Sequence, residues 1–238
     1  RAPDALAAQV LVGRGELGGH VLPVALELLG DELREAGEAA LPLVPEPAAV
    51  DVVNAGHHGD LGGALNGDAA LINARMQGVF AAGDRAGNFY LWGAMGGSTA
   101  MGLGLALAQP DRSVVVVTGD GEQLMGVGSL ATIGARQPAN LTIVILDNGH
   151  YGETGMQRSH ASLGTDLVAV AKGFGIKNAI TVDSLEGAAK VATQIKARDG
   201  VALVRVLIDT GEPPRALPAR DGVYIKNRFR SELGLMPF

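Results

Sequence analysis

Two unbroken apolar runs dominate the hydrophobic pattern, 113–118 (SVVVVT) and 141–147 (LTIVILD), and a third follows at 202–208. Each is short and rich in β-branched residues. Their hydrophobicity is continuous rather than alternating, which predicts strands buried on both faces. Helices are predicted over 98–108 (built from small residues), 126–136, 166–174 and 185–197, with shorter strands at 69–73 and 179–182. Strands alternating with helices in this way predict an α/β fold, a parallel sheet with helices on both faces.

Upstream the pattern is weaker. Residues 1–67 are rich in Ala, Gly and Pro, and only Leu22, Leu26, Leu29 and Leu33 keep helical spacing, predicting a helix over 21–40. A turn or linker is expected at 42–47 and a short strand at 49–54. The organisation read from this is an unassigned segment 1–67, too short for a second catalytic domain of ordinary size, one domain over 68–211, and a tail over 212–238. The tail is Pro-punctuated and more basic, and is expected to pack on the surface or at a subunit contact.

Glycine changes the picture. Twelve of the 35 glycines cluster at 93–104, 119–128 and 149–155, where backbone must approach something closely. Gly119-Asp120-Gly121 directly follows the first apolar strand. Asp147-Asn148-Gly149-His150-Tyr151-Gly152 directly follows the second. Trp92-Gly93-Ala94-Met95-Gly96-Gly97 leads into the small-residue helix. Open α/β sheets place ligands at such strand ends. Asp120 and Asn148 offer hard oxygen ligands from adjacent strands, which suits Mg²⁺ bridging a diphosphate. The glycines would let backbone N–H groups reach phosphate oxygens, and a helix starting near Gly126 would add positive dipole.

The net charge of −6 and pI of about 5.3 argue against nucleic acid as a partner. The absence of cysteine excludes disulfides and thiolate metal sites and fits a cytoplasmic location. No apolar run reaches membrane-spanning length, so no membrane partner is expected.

Gly-Asp-Gly paired with a later Asn at a strand end resembles the thiamine-diphosphate-dependent enzymes, over roughly 68–210. The resemblance implies the thiamine-diphosphate-binding fold, in its diphosphate-binding (PP) form, with thiamine diphosphate and Mg²⁺ as cofactors. It also implies Asp120 and Asn148 as side-chain metal ligands and His150 as a main-chain carbonyl ligand. Met95 falls where the family carries an apolar wedge under the bent cofactor. The Gly93 carbonyl would accept from the aminopyrimidine. Gly119, Gly121, Tyr151 and Gly152 would line the diphosphate. Glu122 would either lie near the diphosphate or cap the next helix.

The runs Asn88–Gly96, Gly119–Met125 and Asp147–Gly155 further resemble the β-type subunits of sulfopyruvate and phosphonopyruvate decarboxylases. This implies non-oxidative decarboxylation of a small anionic 2-oxo acid to an aldehyde by a carboxy-lyase. The same cradle also serves carboligases of the acetolactate-synthase kind and 2-oxo acid oxidoreductase subunits. A non-catalytic cofactor-binding subunit is the reading from another class. The activating glutamate is expected from a separate pyrimidine-binding (Pyr) domain, on another subunit or a second copy, making an oligomer. Residues 1–67 hold only Glu16 and Glu27 as early candidates, so that region is expected to be incomplete or part of a Pyr-type region. Arg158 and His160 are candidate substrate contacts, against a solvated polar segment as the alternative. Phe89, Tyr90 and Trp92 read as packing or interface residues. Lys172, Lys177, Lys226, Arg228 and Arg230 read as surface charge.

Overall fold

The computed structural model describes residues 51–55, 80, 84, 86–152, 154–210 and 217–236. Its sheet has β1 (Asp51–Ala55), β2 (Asn88–Leu91), β3 (Val114–Gly119), β4 (Leu141–Asp147), β7 (Asn178–Val182) and β8 (Ala202–Leu207). They run in the spatial order β2-β1-β3-β4-β8-β7, with every pairing parallel. The connecting helices are α1 (Ser98–Ala108), α2 (Asp120–Met125), α3 (Ser129–Arg136), α4 (Leu167–Gly173) and α5 (Leu185–Ala197). A two-stranded antiparallel ladder, β5 (His150–Tyr151) with β6 (Gln157–Arg158), and a 3₁₀ turn (His160–Leu163) follow β4. Helix α6 (Gly222–Glu232) closes the described chain.

The continuous apolar strands behave as their sequence demands. All of β3 and β4 is buried. Val114 and Val116 of β3, with Ile143 and Ile145 of β4, face Leu103 and Ala106 of α1 and Leu130 and Ile133 of α3. Val115, Val117, Val144 and Leu146 face the other way, against Ala188, Val191 and Ile195 of α5. Each strand thus feeds two cores, one per sheet face. Side-chain caps start the later helices: Asp166 accepts from Val168 and Ala169, Ser184 from Gly187, and Asp221 from Val223 and Tyr224. The Asn140 amide, at the foot of β4, donates to the Ala106 carbonyl near the end of α1 and to the Gln109 carbonyl just beyond it.

Several expectations need correction. The strand expected at 49–54 forms at Asp51–Ala55 and lies between β2 and β3, so the sheet draws on residues upstream of 68. The helix expected over 126–136 forms from Ser129 to Arg136, and a further short helix, Asp120–Met125, precedes it. The chain becomes helical at Asp120, breaks at Gly126 and resumes at Ser129. The tail forms α6, which docks on β2 through Phe89 stacked edge-on against Phe229, ring centroids 5.3 Å apart. Arg228 is not surface charge: it pairs with Asp84 at 2.6 Å, donates to the Asn88 carbonyl and lies over the Tyr90 ring. Lys172, Lys177 and Lys226 are exposed, as expected. The helix at 21–40, the strand at 69–73, the turn at 42–47, Glu16 and Glu27 lie outside the described residues. Among the described residues no helix is long and apolar enough to cross a membrane.

Candidate functional site

The sheet's C-terminal edge carries the candidate residues. Gly119 ends β3 opposite Leu146 of β4, so Asp120 and Asn148 leave neighbouring strand ends. The Asp120 side chain is fully buried, and the Ser159 hydroxyl donates to its Oδ2. Asn148 begins a loop fixed from both sides. Asp147 Oδ1 accepts from the Gly149 N–H at 2.8 Å, and its Oδ2 accepts from Arg205 Nε at 2.5 Å. Asn148 Oδ1 accepts from the His150 N–H at 3.1 Å. His150 Nδ1 lies 2.8 Å from the Asn148 carbonyl, a contact that puts the ring proton on Nδ1.

His150 faces Arg158 across the β5–β6 ladder, and the Ser159 N–H donates to the Gly149 carbonyl. That bond makes His150 a non-hydrogen-bonded position, with its carbonyl turned away from β6. Ser159 therefore ties both halves of the site together, its hydroxyl to Asp120 and its amide to the Asn148 loop. Neither Ser159 nor Arg205 was singled out from the sequence.

Tyr151 lies over the start of α2. A Cβ added at Gly121 would sit 2.3 Å from the Tyr151 ring, so only glycine lets the ring rest there. Burial, then the Asp120 charge, pushes the Tyr151 phenol above its ordinary range. Gly152 follows in the hairpin loop, partly buried.

The 92–97 turn is clamped to the same helix. Glu122 Oε1 accepts from the Gly96 N–H at 2.9 Å, and both carboxylate oxygens accept from the Ser98 hydroxyl, at 3.0 and 2.9 Å. Glu122 thus caps the start of α1 and not the helix that follows it. Gly96 and Gly126 meet backbone to backbone: a Cβ on Gly126 would lie 2.1 Å from the Gly96 carbonyl oxygen. Met95 is partly buried on this turn, and Gly93 takes a positive φ of 75°. Trp92 donates from Nε1 to the Ala219 carbonyl, and Tyr90 is buried, so both are packing residues. Arg158 and His160 are exposed, and Arg158 donates to the Ser162 hydroxyl and carbonyl.

The donor chemistry fits a hard divalent ion. Among the described residues no cluster of three or more His, Cys, Asp or Glu side chains is placed to hold a metal ion, so any ion here needs amide and carbonyl oxygens as well. What the strand ends offer is one carboxylate, one amide oxygen and an outward-turned carbonyl, an all-oxygen set.

Residues 67–206 match the family described as thiamine pyrophosphate enzyme, C-terminal TPP binding domain. The chain is 50% identical over 103 residues to sulfopyruvate decarboxylase subunit beta of Methanocaldococcus jannaschii, covering 43% of this chain and 54% of that one. It is 39% identical over 172 residues to phosphonopyruvate decarboxylase of Streptomyces viridochromogenes, covering 69% of this chain and 42% of that one. The chain thus spans about half, or less, of the length of these relatives. The crystal structure of benzoylformate decarboxylase from Polynucleobacter necessarius superposes with a TM-score of 0.58 at 18% identity, covering 81% of this chain and 34% of that one, which establishes the shared fold.

Proposed function

Because this chain belongs to the thiamine pyrophosphate enzymes, with their C-terminal cofactor-binding domain over 67–206, we propose that it is the diphosphate-binding half of a 2-oxo acid decarboxylase. The proposed reaction is non-oxidative loss of CO₂ from a three-carbon 2-oxo acid bearing a second anionic group, giving an aldehyde. The names of the relatives, sulfopyruvate and phosphonopyruvate decarboxylase, support that substrate class. The observation that carries the reading is the buried Asp120 carboxylate beside the Asn148 loop, at neighbouring strand ends.

In this reading Asp120 and Asn148 hold Mg²⁺ with their side chains and His150 with its carbonyl. Ser159 orients the Asp120 carboxylate before the ion arrives. Gly119, Gly121 and Gly152 let the backbone approach the diphosphate, while Tyr151 shields Gly121 from solvent. The Gly93 carbonyl receives the aminopyrimidine, and Met95 wedges the cofactor. Bound there, the cofactor supplies a carbon nucleophile for the keto group and an electron sink when CO₂ leaves. Arg158 and His160, both exposed on the segment after the metal loop, are the proposed contacts for the substrate's second anionic group.

The glutamate that activates the cofactor is proposed to come from a Pyr domain on a partner subunit, in line with relatives named as beta subunits. An oligomer with a shared site follows, over the domain limits 68–211 extended by β1. The proposed compartment is the cytoplasm, which a chain without cysteine suits.

Calorimetric titration of the assembled full-length protein tests this. Mg²⁺-dependent uptake of thiamine diphosphate is expected in the wild type and its loss in Asp120→Ala; uptake that survives the substitution refutes the site. Product analysis with sulfopyruvate and phosphonopyruvate then separates chemistries. Free aldehyde supports the decarboxylase, and a ligated hydroxyketone would make the chain a carboligase.

A further inference from the structure

We infer that Glu122 is a positioning residue that sets the spacing between the two ends of the cofactor cradle. This deepens the functional reading above and rests on it. The metal end of the cradle is Asp120, at the tip of β3. The aminopyrimidine end is the 92–97 turn, which follows β2. These strands are not neighbours, because β1 lies between them. No backbone ladder therefore fixes the turn directly against the tip of β3.

Side chains of α2 make that connection. Asp120 opens the helix, and two residues on, the Glu122 carboxylate reaches across to the turn and to the first residue of α1. It accepts from the Gly96 N–H at 2.9 Å, the Ser98 N–H at 3.4 Å, and the Ser98 hydroxyl at 3.0 and 2.9 Å. The α1 N-cap is Gly97, which has no side chain to satisfy the first-turn donors, so the cap is supplied from a different element. The next residue repeats the link, with Thr99 Oγ1 donating to Gln123 Oε1 at 2.6 Å. At the far end of α2, Gly126 meets the Gly96 backbone with no room for a Cβ. Only 6% of Glu122 is exposed, so these bonds form away from competing water.

A carboxylate that merely capped α1 would support the fold alike for every ligand. A spacer predicts something narrower. Thiamine diphosphate spans both ends of the cradle, whereas inorganic pyrophosphate touches only the metal end. Calorimetry on the assembled full-length protein with Mg²⁺ compares the two ligands in wild type, Glu122→Ala, Glu122→Gln and Ser98→Ala. The expected result is about tenfold weaker thiamine diphosphate binding in Glu122→Ala with pyrophosphate binding held within about twofold. Glu122→Gln keeps one acceptor oxygen and is expected to recover most of the loss. Ser98→Ala is expected to copy the selective effect at about threefold.

Thiamine diphosphate affinity unchanged in Glu122→Ala overturns the inference, as does an equal loss for both ligands. If Glu122→Ala does not fold, Ser98→Ala decides, and unchanged thiamine diphosphate binding there overturns it. A wild-type protein that takes up pyrophosphate but no thiamine diphosphate overturns the functional reading itself, and the spacer with it.

Discussion

The Ser159 hydroxyl donates to the buried Oδ2 of Asp120 from 39 positions downstream, while the Ser159 amide holds the Gly149 carbonyl. One residue thus joins the ends of β3 and β4, the two strands proposed to supply the metal ligands. A carboxylate with no exposed surface and one oxygen already engaged has a restricted orientation, which lowers the ordering cost of ion binding.

Ser159→Ala removes a hydroxyl donor from the buried Asp120 carboxylate. Mg²⁺-dependent thiamine diphosphate binding is expected to weaken by about tenfold, roughly 1.4 kcal/mol. Ser159→Thr, which keeps the hydroxyl, is expected to retain most of the affinity. Titration of Mg²⁺ at fixed cofactor reads the difference, and equal affinities for the alanine variant and wild type would count against the role.

Gly121→Ala drives a methyl group into the Tyr151 ring, with 2.3 Å between the new Cβ and the nearest ring atom. The ring must swing out, at an expected cost of about 1–3 kcal/mol for overpacking. Because the strain is pairwise, Gly121→Ala is expected to cost much less in a Tyr151→Ala background. A double-mutant cycle by chemical denaturation measures that coupling; simple additivity would mean the ring is not what the methyl meets.

The parts of the fold legible in the sequence are those where a long apolar pattern decides the element. Leu141–Asp147 and Leu185–Ala197 form with the bounds their patterns predict, because a β-branched strand buried on both faces and a capped amphipathic helix leave little choice. Helix α6 was not legible. It reads GVYIKNRFRSE, and its buried residues are only Ile225 and Phe229, one helical turn apart. Arg228 looked like solvent charge because its partner Asp84 lies 144 positions away. Asp120 and Asn148 were found because glycines and strand ends flag them. Ser159 carried no such flag, standing between two more conspicuous polar residues. Arg205 did carry one, as the lone charge in the strand ALVRVL. A single charge within a buried strand implies a partner at the same depth, and Asp147 is that partner.

Arg205→Met tests the pairing. The Asp147 side chain is 3% exposed and that of Arg205 19%, so removing the cation strands a carboxylate with little water. A destabilisation of about 3 kcal/mol or more is expected, measured by urea denaturation. Arg205→Lys keeps the charge but not the Nε geometry and is expected to fall between. Because the same carboxylate holds the Gly149 N–H, cofactor affinity is expected to fall in Arg205→Met as well. A loss of stability with unchanged affinity would separate the ion pair from the loop it braces.

Tyr90 gives the tail's docking a pH signature. Its hydroxyl donates to Asp84 Oδ1 at 2.9 Å and accepts from Asn88 Nδ2 at 3.2 Å, with the ring 2% exposed under Arg228. Burial pushes the phenol well above its ordinary value, and the Asp84 contact adds to this, while Asn88 and Arg228 pull the other way. The folded state therefore holds the proton after the unfolded chain, with a phenol near pH 10, has begun to release it. Below about pH 10 both states are protonated and the full contribution is present. Above it the unfolded state binds fewer protons, and stability falls by up to roughly 1.4 kcal/mol per pH unit. Tyr90→Phe lacks that titration, although it is less stable at neutral pH through its lost hydrogen bonds. Denaturation curves for the two proteins between about pH 8 and 11 are therefore expected to converge as pH rises. A gap that stays constant across that range would mean that burial of the Tyr90 hydroxyl is not linked to folding.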